Sequence, residues 1–299
     1  MRFTFASFAT LATAALAFAQ PQARGIKNIN PTAEDIQNAA NSAALSPSPA
    51  EPNTNAKRFA MHLPPLAPKA HRRGSPRAAL THPTRTRGRS APRAQTSPTP
   101  PVSEKCFILA TRTDGTNYGY VSALWNDFGE YYAFLPDQTG ALLASFSYSS
   151  NAPSQLALTA DNGPDSAYPY VGAIDGYGSD ADNNIGSGRS DYAYLGGTTG
   201  WTPGASAVTP EDGSTPKNSF TDRTGIPEGF QTSIWTFDPA TRGLYPQWVN
   251  SDGSQPTTHV VYAQGIIALT GDTQAFADTY GDADVLLFKC VPPVTSPSK

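Results

Sequence analysis

The chain has 299 residues and a net charge of −3, and its charge is divided between two parts of opposite sign. Residues 20–103 hold 12 Lys and Arg against 3 Asp and Glu, whereas residues 104–299 hold 8 Lys and Arg against 21 Asp and Glu. An acidic second part repels phosphates, which argues against nucleic acid as a partner. All four Trp and all thirteen Tyr lie in the second part, so only that part has the material for a core.

The N-terminus has the pattern of a secretory signal peptide over residues 1–19. Arg2 precedes an apolar run that ends in Ala17-Phe18-Ala19, a small-x-small cleavage pattern. No later stretch offers the roughly 20 apolar residues that a membrane-spanning helix needs. We therefore predict a secreted protein, extracellular or in the cell wall, with no transmembrane segment.

Residues 20–103 are predicted to be a disordered basic prosegment or linker. They are rich in Pro and Arg, and Phe59 is their single aromatic residue, so they cannot offset the entropy of ordering. One local exception is a short helix from about Asn30 to Leu45, indicated by Pro31 and two early acids. The pairs ending at Arg58 and Arg73 resemble dibasic processing sites, although chance pairs in an Arg-rich tract explain them equally well.

From residue 104 the pattern changes to short apolar or alternating runs separated by turn residues. We predict an all-β domain over residues 104–292, a β-sandwich with a β-trefoil or barrel as alternative, and a disordered tail over residues 293–299. A short helix is expected between Asp272 and Gly281. The predicted strands are Cys106–Thr111, Tyr118–Leu124, Tyr131–Leu135, Leu142–Tyr148, Leu156–Ala160, Tyr168–Ile174, Ser233–Phe237, Leu244–Val249, His259–Tyr262, Ile266–Thr270 and Val285–Val291.

Cys106 and Cys290 are the two cysteines of the chain and lie near the two ends of the predicted domain. In an oxidising compartment they are expected to form a disulfide that joins the first and last strands. Such a bond stabilises by about 4–5 kcal/mol in the chain-entropy model. The alternative is two unpaired buried thiols.

Catalytic chemistry has little support in the sequence, and our first interpretation names no catalytic residue. No Gly-x-Ser-x-Gly occurs, and His259 is the one histidine after the linker. The alternative is a pair of carboxylates, Glu130 and Glu228, because most of the aspartates lie in turn sequences.

A calcium loop is the best metal candidate, and no other cofactor is indicated. Asp180, Asp182, Asn184 and Asp191 match the oxygen spacing of such a loop, but Ile185 stands where the loop requires glycine. A polar surface loop without metal is therefore favoured.

Carbohydrate binding is indicated by aromatic residues in a Gly/Asp/Ser-rich region. Tyr177, Tyr192, Tyr194 and Trp201 are the candidate ligand-binding residues, since aromatic faces stack on sugars. The alternative is that these rings simply pack in or over the core.

The domain also resembles a group of secreted, largely uncharacterised fungal proteins with β-rich domains. The similarity spans about residues 105–290 and is carried by Phe107-Ile108-Leu109-Ala110, Tyr120-Val121-Ser122, and the segments 234–250 and 267–276. It implies secretion and β structure and lends no catalytic residue. We therefore expect a non-catalytic extracellular or wall-associated binding protein, for carbohydrate or a cell-wall polymer. The alternative is a secreted hydrolase, an acid peptidase or glycosidase, matured by loss of its prosegment.

Overall fold

The structure is a computed structural model that describes residues 25–45, 100–149, 153–182, 184–210 and 216–294. The predicted signal peptide, the pairs ending at Arg58 and Arg73, and residues 295–299 lie outside these ranges. Within them strand residues far outnumber helical residues, which confirms the predicted all-β class. No helix in these ranges is long and apolar enough to cross a membrane.

The described residues form thirteen strands and three helices. The helices are α1 (Ala33–Leu45), α2 (Ser219–Thr224) and α3 (Thr273–Tyr280). The strands are β1 (Val102–Arg112), β2 (Asn117–Val121), β3 (Phe134–Leu135), β4 (Leu143–Tyr148), β5 (Leu158–Ala160), β6 (Tyr170–Asp175), β7 (Tyr192–Thr198), β8 (Phe230–Gln231), β9 (Trp235–Asp238), β10 (Gly243–Pro246), β11 (His259–Ala263), β12 (Ile266–Thr270) and β13 (Asp284–Val291).

Eight strands close into an antiparallel barrel in the order β1, β4, β5, β6, β7, β12, β11 and β13. The ring closes where β13 pairs with β1, in a register that sets Ile108 opposite Cys290. The other strands lie outside the ring, with β2 and β3 beside β1, β9 and β10 beside β13, and β8 beside β6. A barrel was among the predicted alternatives, while the sandwich and the trefoil stay predictions.

A disulfide bond joins Cys106 of β1 to Cys290 of β13, as predicted. Both residues are buried in the core. The bond therefore links the two strands at which the barrel closes.

Side chains of β6, β7, β12 and β11 are buried on both faces of the sheet. An inner cluster takes residues from all eight barrel strands, among them Ile108, Leu158 and Leu269. The intervening residues of these four strands, such as Ile174, form a second cluster on the outside of the barrel. The two clusters follow from the two-residue period of a strand. We call the second one the outer cluster, and α2 and α3 cover part of it.

The rest of the cover comes from residues 25–45, which we call the N-terminal segment. Ile29 is fully buried in the outer cluster, and Ile36 and Ala39 of α1 pack against it. The short helix was predicted from the sequence, and the disorder expected for residues 20–103 as a whole stays a prediction. The segment has too few apolar residues for a core of its own, but it can add them to a barrel face that is already apolar.

Candidate functional site

Tyr192 and Tyr194, two of the predicted sugar-binding residues, project from β7 into the outer cluster and are fully buried. Their hydroxyls donate to the carbonyl oxygen of Ile29, over 2.6 Å from Tyr192 and 2.8 Å from Tyr194. Their ring faces are engaged elsewhere: Tyr192 meets Phe276 edge to face, and Tyr194 stacks on Phe220. The two tyrosines thus offer hydroxyl groups, rather than open ring faces, to the N-terminal segment.

Backbone groups orient both hydroxyls towards Ile29. The N–H of Gly178 donates to the Tyr192 oxygen over 3.1 Å, and the N–H of Tyr177 donates to the Tyr194 oxygen over 3.2 Å. A phenol oxygen that accepts a hydrogen bond keeps its own hydrogen for donation. Burial raises the pKa of both phenols, so both stay protonated and can donate.

Gln264 and Thr279 bind the backbone of the segment on the N-terminal side of this contact. The Oε1 of Gln264 accepts from the N–H of Ile29 over 3.2 Å, and its Nε2 donates to the Lys27 carbonyl over 2.8 Å. The N–H of Lys27 donates to the Thr279 carbonyl over 2.9 Å. Sequence reasoning missed Gln264, because a glutamine in the turn between two strands carries no signal of a ligand contact.

Glu130, one of the two predicted carboxylates, is fully buried below the N-terminal segment. Its Oε2 accepts hydrogen bonds from Asn126 over 2.8 Å and from the Asn30 side chain over 3.1 Å. Its Oε1 and the Oδ1 of Asn30 are buried and have no hydrogen-bond partner. Burial raises the pKa of Glu130 to about 7, and the bonds from the two asparagines oppose this shift.

Glu228, the other predicted carboxylate, lies near Tyr177. It is half-buried and lines a polar cavity of about 330 Å³ together with Ser179 and Asp180. Burial raises its pKa to about 7. Asp175 is buried nearby on β6, and burial followed by repulsion from Glu228 raises its pKa well above the ordinary value. Among the described residues no hydrogen bond joins Glu228 to Glu130, and each carboxylate has different neighbours.

The remaining aromatic candidates, Tyr177 and Trp201, differ in their contacts. Tyr177 is 36% exposed, and burial, then a hydrogen bond with Asp35 of α1, raise the pKa of its phenol. Trp201 packs beside the outer cluster, and its Nε1 donates to the Ser206 carbonyl over 2.9 Å. Three of the four predicted aromatic residues therefore contact the N-terminal segment, while the indole of Trp201 bonds within its own loop.

Arg189 lies among the predicted calcium ligands. Its guanidinium is 3.5 Å from Asp180, 2.6 Å from Asp182 and 2.8 Å from Asp191, and it donates to the Asn184 carbonyl over 2.9 Å. The arginine thus supplies positive charge at these carboxylates. No group of three or more His, Cys, Asp or Glu in the described part of the chain is arranged to hold a metal ion. These contacts favour the polar surface loop over the calcium site.

The raised pKa of Glu130 predicts that the folded protein loses stability as the pH rises. Between the ordinary pKa of 4.5 and the folded value of about 7, the folded chain holds a proton that the unfolded chain has released. The stabilisation from this bound proton is complete below pH 4.5 and is lost as the pH rises through about 7. The free energy of unfolding therefore falls by roughly 3 kcal/mol across this range. Urea unfolding at about pH 5 and pH 8 measures it. A Glu130→Gln chain should show a smaller difference, and a wild-type chain that is more stable at the higher pH would contradict the prediction.

No family model, no curated protein and no solved structure matches this chain. The comparisons therefore assign no role to any residue of the site. What the site can do has to be inferred from the contacts of Ile29 and Asn30 with Tyr192, Tyr194 and Glu130.

Proposed function

We propose that this protein is secreted, that it binds polypeptide backbone in a cleft on the outside of its barrel, and that its own N-terminal segment occupies this cleft. One observation carries the proposal. The backbone N–H and carbonyl groups of both Lys27 and Ile29 are hydrogen-bonded by the body of the protein, through Tyr192, Tyr194, Gln264 and Thr279. Backbone contacts of this kind accept many sequences, because every residue other than proline offers the same two groups.

A polypeptide fits these contacts better than the carbohydrate expected from the sequence. Sugar recognition by aromatic residues needs exposed ring faces, and both Tyr192 and Tyr194 are fully buried. Tyr177 and Trp201 are the more accessible rings and are all that supports carbohydrate binding. A cell-wall polymer thus stays a weaker proposal.

The N-terminal segment is held by packing and hydrogen bonds rather than by net charge. Residues 25–45 contain Lys27, Glu34 and Asp35, so they lack the positive charge of the prosegment as a whole. That positive charge follows between residues 57 and 93. A segment of net charge −1 on a basic tether is held at high effective concentration while the chain is intact and is diluted once the tether is cut.

Export and processing complete the proposal. The signal-like residues 1–19 and the disulfide of Cys106 with Cys290 both suit an oxidising, extracellular location, and the resemblance to secreted fungal proteins supports the same location. Cleavage after Arg58 or Arg73 would separate the N-terminal segment from the barrel. The segment could then leave, and the cleft would become open to other polypeptides.

Exchange of the N-terminal segment tests this function. A recognition sequence for a specific protease is placed within residues 60–70 of the full chain, the chain is cut, and a fluorescent peptide of residues 25–45 is added. We expect saturable binding by anisotropy, competition by a mixed peptide digest and no competition by soluble glucan fragments. The same peptide with Ile29→Asp should not bind, whereas the Ile26→Asp peptide should, because Ile26 is 68% exposed. Absence of saturable binding, or competition by the glucan alone, would overturn the proposal.

A further inference from the structure

The carbonyl group of Ile29 lies in an arrangement of donors that suits a reaction as well as binding. Two phenol hydroxyls converge on this one oxygen at 2.6 and 2.8 Å. Both are fixed from behind by backbone N–H groups of Tyr177 and Gly178. Preorganised donors at such distances stabilise the negative charge that develops on a carbonyl oxygen under nucleophilic attack.

The carboxyl group of Glu130 contacts the next residue of the segment, Asn30. Glu130 accepts a hydrogen bond from the Asn30 side chain, and Asn30 is bonded directly to the Ile29 carbonyl carbon through its backbone nitrogen. Glu130 is buried, and its Oε1 has no partner among the described residues. A carboxyl in such surroundings can take and return a proton.

We propose that the open cleft hydrolyses a peptide bond whose carbonyl takes the place of Ile29, with Glu130 as the acid–base group and the Tyr192 and Tyr194 hydroxyls as oxyanion donors. This inference rests on the proposed function, since it requires a polypeptide to bind as the N-terminal segment does. It makes the segment a bound substrate analogue.

The reaction consumes one water molecule per peptide bond. The water oxygen bonds to the carbonyl carbon while Glu130 takes a proton from it, and the carbonyl electron pair moves to the oxygen held by the two phenols. Glu130 then gives this proton to the peptide nitrogen, and the C–N bond breaks as the carbonyl re-forms. The products are a carboxylic acid and an amine, and Glu130 returns to its initial state.

The side chain of Asn30 explains why the segment itself persists in the cleft. Its Nδ2 donates to the Glu130 Oε2 over 3.1 Å, so this oxygen, which also accepts from Asn126, is held by the segment rather than by water. A residue without a side-chain amide at this position would leave the Glu130 Oε2 with the bond from Asn126 alone, and so open to a water molecule. The site therefore selects, as substrates, peptides with an aliphatic residue in the Ile29 position and a small residue after it.

The decisive probe is a peptide of residues 25–36 with Asn30→Ala, added to the cut full-length protein from which the segment has been exchanged. Mass spectrometry should find a single cut between Ile29 and Ala at position 30. The Glu130→Gln variant should cleave this peptide more slowly, by about 100-fold or more. Tyr192→Phe and Tyr194→Phe should each lower kcat by about 100-fold. The matched control is Tyr118→Phe, which removes a hydroxyl bonded to Asp284 rather than to the N-terminal segment and should leave kcat unchanged.

A second measurement needs no added peptide. In the uncut chain, Asn30→Ala should allow slow cleavage after Ile29, read by N-terminal sequencing, and the added Glu130→Gln should prevent it. Peptide that binds without being cut, together with an intact Asn30→Ala chain, would overturn the inference and leave the binding function standing. Peptide that does not bind would overturn both.

Discussion

An Ile29→Asp chain is expected to lose the docking of its N-terminal segment. Ile29 is fully buried in the outer cluster, and removing a buried isoleucine side chain alone costs about 2–5 kcal/mol. A carboxylate in the same place has no partner, so undocking is the cheapest response. The barrel stays folded, because its inner cluster draws on all eight strands and does not include the segment.

Limited trypsin digestion measures this undocking. Lys27 precedes Ile29 by two residues, and its backbone is bonded to Gln264 and Thr279 only while the segment is docked. Cleavage after Lys27 should become about 100-fold faster in the variant, since proteolysis follows the population of the open state. Ile26→Asp is the matched control, as Ile26 is 68% exposed and should cleave at the wild-type rate. Equal rates for the Ile29 variant and the wild type would show that the segment is not held at this residue.

The strand that carries the candidate site was the principal element that sequence reasoning missed. All seven residues of β7 are buried, yet Tyr192–Thr198 was not among the predicted strands and was placed only in a Gly/Asp/Ser-rich region. The reason lies in Gly196 and Gly197, which a strand pattern does not favour. In the fold a Cβ on Gly197 would lie 2.2 Å from the ring of Trp125, so glycine is required there by packing.

The position of the N-terminal segment on the barrel could not be predicted from the sequence either. Composition predicts that residues 20–103 cannot form a core alone, and the cap pattern predicted α1, which runs Ala33–Leu45. Neither signal could indicate that Ile29 would complete an apolar face built by strands more than 140 residues away. That face depends on barrel closure, which is a property of long-range pairing rather than of local pattern.

The sequence was a better guide to which residues form the candidate site than to what those residues do. The sequence singled out Glu130, Tyr192 and Tyr194 from their residue types, and the structure brings all three to one segment of chain. The sequence analysis assigned the two tyrosines to sugar stacking, because an aromatic residue in a turn-rich region is assumed to expose its ring. Burial changes the chemistry of these residues, since a buried tyrosine acts through its hydroxyl.

Removal of the disulfide is expected to have the largest effect on global stability. Cys106 and Cys290 are 184 residues apart in sequence, so the bond restricts most of the unfolded chain. The chain-entropy model gives a loss of about 4–5 kcal/mol for such a loop. For a domain of this size, that lowers Tm by about 10–15 °C.

A double Cys106→Ser and Cys290→Ser variant measures the loss by calorimetry, and wild-type protein with reductant should give the same Tm. Ser103→Ala is the control. Ser103 lies on β1, as Cys106 does, and its substitution removes only an exposed hydroxyl contact with Ser147 of β4. The loss should exceed that of any other change in β1, since these cysteines link the two strands whose pairing closes the barrel. If Tm is unchanged in the double variant, barrel closure is secured by the backbone pairing of β1 with β13 and by the inner cluster alone.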